Sequence, residues 1–324
     1  MEEFDLYPPK PELSEPKAKG NLALTIFSII LFILVFLFIF TDEVTFIFNL
    51  VLVLIVHEMG HYLMMKAFGY KNVRMLFIPL MGAFVQGSKD VYSQKQSILV
   101  VAAGPMPGIL IGLALVILAG VYETPFMMYL GLLFLLLNII NLLPLDPLDG
   151  GQLFKLLIKT NHELFLLVFS FISSLTLIGI GWFIDNWILI AFGFIMGFRV
   201  RSIQNQYNLR KEMKAEDINY RTTYKLLSNR DFARIKNILL DATPTLKKYL
   251  EIVPEEESEP LMASQVNAVL VSPVEQDASL LFRIVIMIMW FGSIALPFVV
   301  YSNFDVILAR YSWFVEYIQQ LAAS

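Results

Sequence analysis

The chain contains no cysteine. Disulfide frameworks, thiolate metal sites, cysteine nucleophiles and iron–sulfur clusters are therefore excluded, although the redox compartment stays open. Histidine is almost as scarce, with three in 324 residues, so any bound metal must be held by imidazole and carboxylate. Charge is thin as well. Charged residues make up 16% of the chain against 57% hydrophobic, and the mean hydropathy is +0.67, a balance that points to the bilayer as solvent. A net charge of -4 with a pI near 5.5 gives no support to nucleic-acid binding.

Apolar runs near the length needed to cross hydrocarbon, about 20 residues, occur at Asn21–Thr41, Phe46–Lys66, Ser97–Gly120, Phe126–Leu143, Glu163–Ile184 and Ala278–Tyr301. A shorter one, Trp187–Phe198, follows a turn at Asp185 and Asn186 flanked by Trp182 and Trp187, as expected of interfacial tryptophans. The expected architecture is an all-α, multi-pass membrane protein of about seven transmembrane helices. The first run is too long, and its preceding segment too acidic and proline-rich, for a cleaved signal peptide.

Lysine and arginine set the expected orientation. Three precede the first span, five lie from Lys66 to Lys95, two are Lys155 and Lys159, and twelve fall from Arg199 to Lys248, while the loops at 42–45, 121–125 and 185–186 carry none. Basic loops mark the cytoplasmic side. The N-terminal segment 1–20, the 67–96 and 144–162 loops and a mainly helical module at 199–277 are thus expected in the cytoplasm. The transmembrane domain is expected at 21–198, and the last helix with an amphipathic tail at 278–324. Glu255–Glu257, with Pro254 and Pro260, reads as a solvated linker.

The second span carries His57-Glu58-Met59-Gly60-His61, the HExxH pattern. On a helix, residues four apart lie about 40° apart and one turn along, so both imidazoles can reach one metal. Glu58 can face a water on that metal. The alternative is a polar cluster satisfied within a helix bundle, but an ionised glutamate inside a span costs on the order of a few kcal/mol, which favours a functional reason. A hydrolytic zinc needs a third protein ligand and an open position. At the cytoplasmic end of the fourth span stands Asn141-Leu-Leu-Pro144-Leu-Asp146-Pro147-Leu-Asp149-Gly150-Gly151, a run of helix breakers around two carboxylates. Unwound backbone at membrane depth is tolerated where it is buried in protein or lines a cavity. A plain proline–glycine loop with solvated aspartates is the alternative.

These two patterns, HExxH and N-x-x-P-x-x-x-x-D-G, resemble the signatures of the site-2 protease family of intramembrane metalloproteases. The resemblance covers about residues 44–160, a three-helix core. It implies Zn2+ held by His57, His61 and Asp149, Glu58 as catalytic base, and Asn141, Pro144 and Gly150 as supports of the cavity; Asp146 has no counterpart role and reads as a loop carboxylate. The family's Gly-Pro in its middle span is matched by Gly104-Pro105, whereas many members carry Asn where this chain has Gly108. Val73–Gly87 is similar to the family's re-entrant β-hairpin, here turning at Pro79-Leu80-Met81-Gly82, whose edge could accept an extended substrate. The implied activity is zinc endopeptidase action on single-span membrane proteins within the bilayer, in regulated proteolysis. A membrane metal-transport protein and a silent scaffold are the rival readings. His162 reads as an interfacial residue, and Arg283 as one that snorkels.

Overall fold

The computed structural model describes residues 7–13, 22–39, 41, 44–79, 82–157, 163–302 and 311–323. His162, the hairpin tip at 80–81 and the start of the tail at 303–310 lie outside the described residues. Contacts divide the chain into two compact units.

The first unit comprises Lys19–Lys89, Ser93–Thr160 and Gln276–Ser324. It contains α1 (Leu22–Ile39), α2 (Val44–Ala67), the strands β1 (Lys71–Ile78) and β2 (Gly82–Ser88), α3 (Gln94–Ala102), α4 (Pro105–Tyr122), α5 (Pro125–Asn141), α6 (Asp149–Leu157), α12 (Leu280–Ser302) and α13 (Ser312–Ala323). The expected Ser97–Gly120 span is interrupted at Ala103–Gly104, because Pro105 has no N–H to continue the ladder and instead opens α4. β1 and β2 pair antiparallel with Met75 opposite Val85 and Phe77 opposite Ala83. Alternation along β1 turns Val73, Met75 and Phe77 inward, and Met75 and Phe77 pack with Phe32 of α1 and Val51 of α2. The outer edge of β1 is occupied: Thr25 donates to the Met75 carbonyl at 2.8 Å and the Phe77 N–H donates to Ser28 at 3.2 Å. Ahead of α12, Asp277 accepts from the Lys95 N–H at 2.9 Å and from the Ser93 hydroxyl at 2.5 Å. Burial raises the carboxyl pKa of Asp277, but these two donors prevail and hold it below its ordinary value.

The second unit comprises Met1–Ala18, Asp90–Tyr92 and Asn161–Glu275, with α7 (Glu163–Phe183), α8 (Trp187–Ala215), α9 (Asn229–Ala242), α10 (Pro244–Ile252) and α11 (Glu255–Val269). Two sequence expectations need correction here. The Trp187 segment does not end as a helix at Phe198 but runs on unbroken to Ala215. Arg199–Ala215 contains neither glycine nor proline, so the change from apolar to charged residues does not end the helix. Glu255–Glu257 is no linker either; it forms the first turn of α11, whose Met262, Ala263, Val266 and Val269 share one face and are buried with Ile235 and Leu239 of α9. The N-terminal residues join this core. Lys10 donates to the carbonyls of Tyr224 and Lys225 at 2.7 and 3.2 Å, and the Tyr224 hydroxyl donates to the Pro11 carbonyl at 2.8 Å.

Five segments are long and apolar enough to cross a membrane: Leu22–Ile39, Val44–Ala67, Gln94–Tyr122, Glu163–Phe183 and Trp187–Ala215. Pro125–Asn141 is apolar but shorter, and α12 carries the apolar run Leu280–Leu296. A span count of seven therefore includes α5 and α12 beside these five.

Candidate metal centre

His57 and His61 face the same side of α2, one turn apart, and with Glu58 they are buried, at 4%, 8% and 4% exposure. Asp149, the first residue of α6, comes to them across the unwound stretch after α5. Its Oδ2 lies 3.0 Å from His57 Nε2 and 3.2 Å from His61 Nε2, and the two Nε2 atoms are 3.3 Å apart. Ligands about 2.0–2.1 Å from a tetrahedral zinc stand about 3.3 Å from one another, so the three atoms already form one face of such a tetrahedron. Among the described residues, His57, His61 and Asp149 form the group whose donor atoms converge in this way, and Glu58 is not part of it. The donor set of two imidazoles and one carboxylate fits zinc, and its fourth position is left for a small oxygen ligand.

The other ring nitrogens are tied down. His61 Nδ1 lies 2.8 Å from the Val100 carbonyl, an oxygen that can only accept, so Nδ1 carries the proton and Nε2 is free for a metal. His57 Nδ1 lies 2.8 Å from Asn138 Oδ1, and the Asn138 amide donates to the Phe134 carbonyl at 2.7 Å. The second bond fixes which way the Asn138 amide points, and that in turn makes His57 Nδ1 a donor. Asn138 is wholly buried. Sequence reading picked out Asn141, one turn later; Asn141 is half-buried at the end of α5. The signal for Asn138 was present, since it is an amide inside an apolar span. The Val100 carbonyl leaves no signal in sequence.

Glycine makes room for these groups. A Cβ on Gly104 would overlap the His61 ring, and one on Gly108 would stand 2.6 Å from Asn138 Oδ1. At the position where an asparagine of α4 was missing, an asparagine of α5 fills the space instead. Pro105 is buried behind Gly104. In the loop from Leu142 to Leu148, Pro144 is exposed, while Gly150 is buried against the carbonyls of Leu142 and Leu143, which a Cβ would overlap.

Asp146 lies in the loop, as expected, but it is not solvated. It is 4% exposed, and its Oδ1 accepts from Lys155 Nζ at 2.8 Å and from Gln152 Nε2 at 3.2 Å, both on α6. The loop is thus clamped to the helix that begins with Asp149. The buried indole of Trp290 on α12 donates to the Leu142 carbonyl at 2.7 Å and packs with Leu142, Leu153 and Leu157. The last long helix therefore braces the same loop from the other side, a role that its bare apolar pattern did not reveal.

A model of peptidase family M50 matches residues 45–125, a stretch that includes His57–His61 and Gly104-Pro105 and ends before Asn141. A zinc metalloprotease of Methanocaldococcus jannaschii is 25% identical over 113 residues, which are 33% of this chain and 32% of that protein. The match thus spans about a third of the relative's length. The solved structure of a site-2 protease from Methanocaldococcus jannaschii aligns with a TM-score of 0.43 at 22% identity, over 54% of this chain and 87% of that one. The family model thus covers the HExxH motif, and the curated relative is a zinc metalloprotease.

Proposed function

We propose that this chain is an intramembrane zinc endopeptidase that hydrolyses peptide bonds of single-span membrane proteins. The observation that carries this reading is the convergence of His57 Nε2, His61 Nε2 and Asp149 Oδ2 within 3.0–3.3 Å of one another, beside a buried Glu58 outside that group. His57, His61 and Asp149 hold the metal. When bound, zinc supplies a Lewis acid for the scissile carbonyl and lowers the pKa of a water to about 7.

Glu58 moves the proton. Its carboxylate accepts a proton from the attacking water as the water oxygen bonds to the carbonyl carbon, and delivers it to the amide nitrogen as the C–N bond breaks. Val100 and Asn138 hold the two imidazoles so that neither must reorient during the reaction. Peptide bonds inside a helix are screened by their own turns, so the substrate has to be extended at the site. Since α1 covers the outer edge of β1, the β2 edge around Ala83 and Val85 is the one that receives a substrate segment by strand addition. The basic loops orient the site toward the cytoplasm of a multi-pass protein in the cell membrane.

The test compares wild type, Glu58→Gln and His57→Ala in proteoliposomes with a panel of single-span substrates, with zinc content measured in parallel. Glu58→Gln is expected to keep zinc and lose turnover by several orders of magnitude, because the glutamine cannot take the proton. His57→Ala is expected to lose zinc as well. Undiminished cleavage by Glu58→Gln, with contaminating proteases excluded, would overturn the reading.

A further inference from the structure

Helices α7 and α8 pack antiparallel but differ in apolar length. The apolar run of α7 extends from Leu164 to Phe183, about 30 Å at 1.5 Å per residue, which matches a hydrocarbon core of about 30 Å. That of α8 stops at Phe198, about 18 Å from its start. The register is fixed by contacts: Gly181 lies against Ile190, and the Ser174 hydroxyl donates to the Gly193 carbonyl at 2.8 Å. The helices therefore share their end at the Asp185–Asn186 turn, and the whole mismatch falls at the other end. There the polar continuation of α8 runs beside the apolar first half of α7, and Arg201 stands level with about Ser170, roughly 10 Å inside the start of α7.

At this point an open groove of about 710 Å³ runs between the two helices. One end is walled by Phe171, Leu175 and Phe194, and the other by Arg201, Gln204 and Asn205, with no carboxylate in the lining. Arg201 is exposed to the cleft and belongs to no ion pair among the described residues. A guanidinium at membrane depth needs an anion or must snorkel to the headgroups. We propose that the α7–α8 cleft is a binding site for one anionic glycerophospholipid, its phosphate on Arg201 with the Gln204 and Asn205 amides, and an acyl chain along Phe171, Leu175 and Phe194. Basic pockets between membrane helices bind lipid headgroups in this way. Free phosphate would leave the aromatic wall bare, and an apolar peptide helix would leave the guanidinium without an anion. The site does not depend on the peptidase reading.

The experiment is native mass spectrometry of the full-length protein released from nanodiscs of equal parts dioleoyl-phosphatidylglycerol and dioleoyl-phosphatidylcholine. Phosphatidylglycerol is expected to be retained over phosphatidylcholine by about fivefold, the contribution of one basic group at a membrane surface. Arg201→Gln should abolish the preference, and Leu175→Trp, which fills the apolar end, should lower retention of both lipids. On wild type, a phosphatidylglycerol carrying a diazirine on its acyl chain should crosslink within 171–178 or 194–205, which keeps the test open should either variant fail to fold. Equal retention of the two lipids, crosslinks confined to other helices, displacement of lipid by inorganic phosphate, or an unchanged preference in folded Arg201→Gln would each overturn the proposal. So would crosslinking of these residues to a substrate helix in place of lipid.

Discussion

Replacing Asn138 by leucine isolates what the bond to His57 contributes to the metal centre. Leucine nearly matches asparagine in shape, so the wholly buried site keeps its packing while the acceptor 2.8 Å from His57 Nδ1 disappears. The bond to the Phe134 carbonyl is lost too, but that carbonyl lies in a helix and keeps its backbone partner. His57 is then left with a buried N–H and a freed ring, and either ring nitrogen can carry the proton. Losing such an outer partner typically costs 10–100-fold in metal affinity or activity, about 1.4–2.8 kcal/mol. The measurement is zinc dissociation by competition with a chromogenic chelator at neutral pH, alongside the melting temperature of the metal-free protein. Asn138→Leu should weaken zinc by 10–100-fold with little change in metal-free melting. Asn138→Asp restores an acceptor for His57 and should recover most of the loss. Gly108→Ala, whose Cβ would press on the Asn138 amide, should behave like Asn138→Leu. Zinc binding within about twofold of wild type in Asn138→Leu would refute the reasoning, since one tautomer of His57 would then need no partner.

Two more predictions address the loop and the membrane orientation. Asp146→Ala removes the buried carboxylate to which Lys155 and Gln152 donate and should destabilise the protein by about 3 kcal/mol in denaturant unfolding, while Asp146→Leu with Lys155→Leu should regain most of that, because an apolar pair replaces a buried ion pair at little cost; a loss under about 1 kcal/mol in the single variant would show that the clamp does not hold the loop. In this cysteine-free chain, single cysteines at Thr124, Ser324 and Ser228 can be challenged with an impermeant thiol reagent on intact cells. Labelling is expected at Thr124 and Ser324 and absent at Ser228, and the reverse pattern would invert the orientation drawn from the basic loops.

The sequence by itself determined the apolar segments and the pair of histidines that a metal site needs. Apolar runs of membrane length, the paired histidines of α2, the break at Gly104-Pro105 and the two short strands are all set within one turn or one segment, so spacing and composition suffice to read them. Tertiary structure decided which groups complete the site. Spacing alone left Asp146 and Asp149 open as the carboxylate that would meet α2, and the family resemblance singled out Asp149, which the structure brings to His57 and His61. Asn138 and Asn141 are three residues apart and leave their helix about 60° apart, enough to put one against His57 and the other at the rim of the loop. His57 and Asn138 are separated by 81 residues, and Leu142 and Trp290 by 148. No local pattern encodes such contacts, because they depend on the packing of helices whose facing sides are all equally apolar. The same holds for Asp146: an aspartate among prolines and glycines looks solvated until the chain doubles back and brings Lys155 of α6 to within 2.8 Å of it.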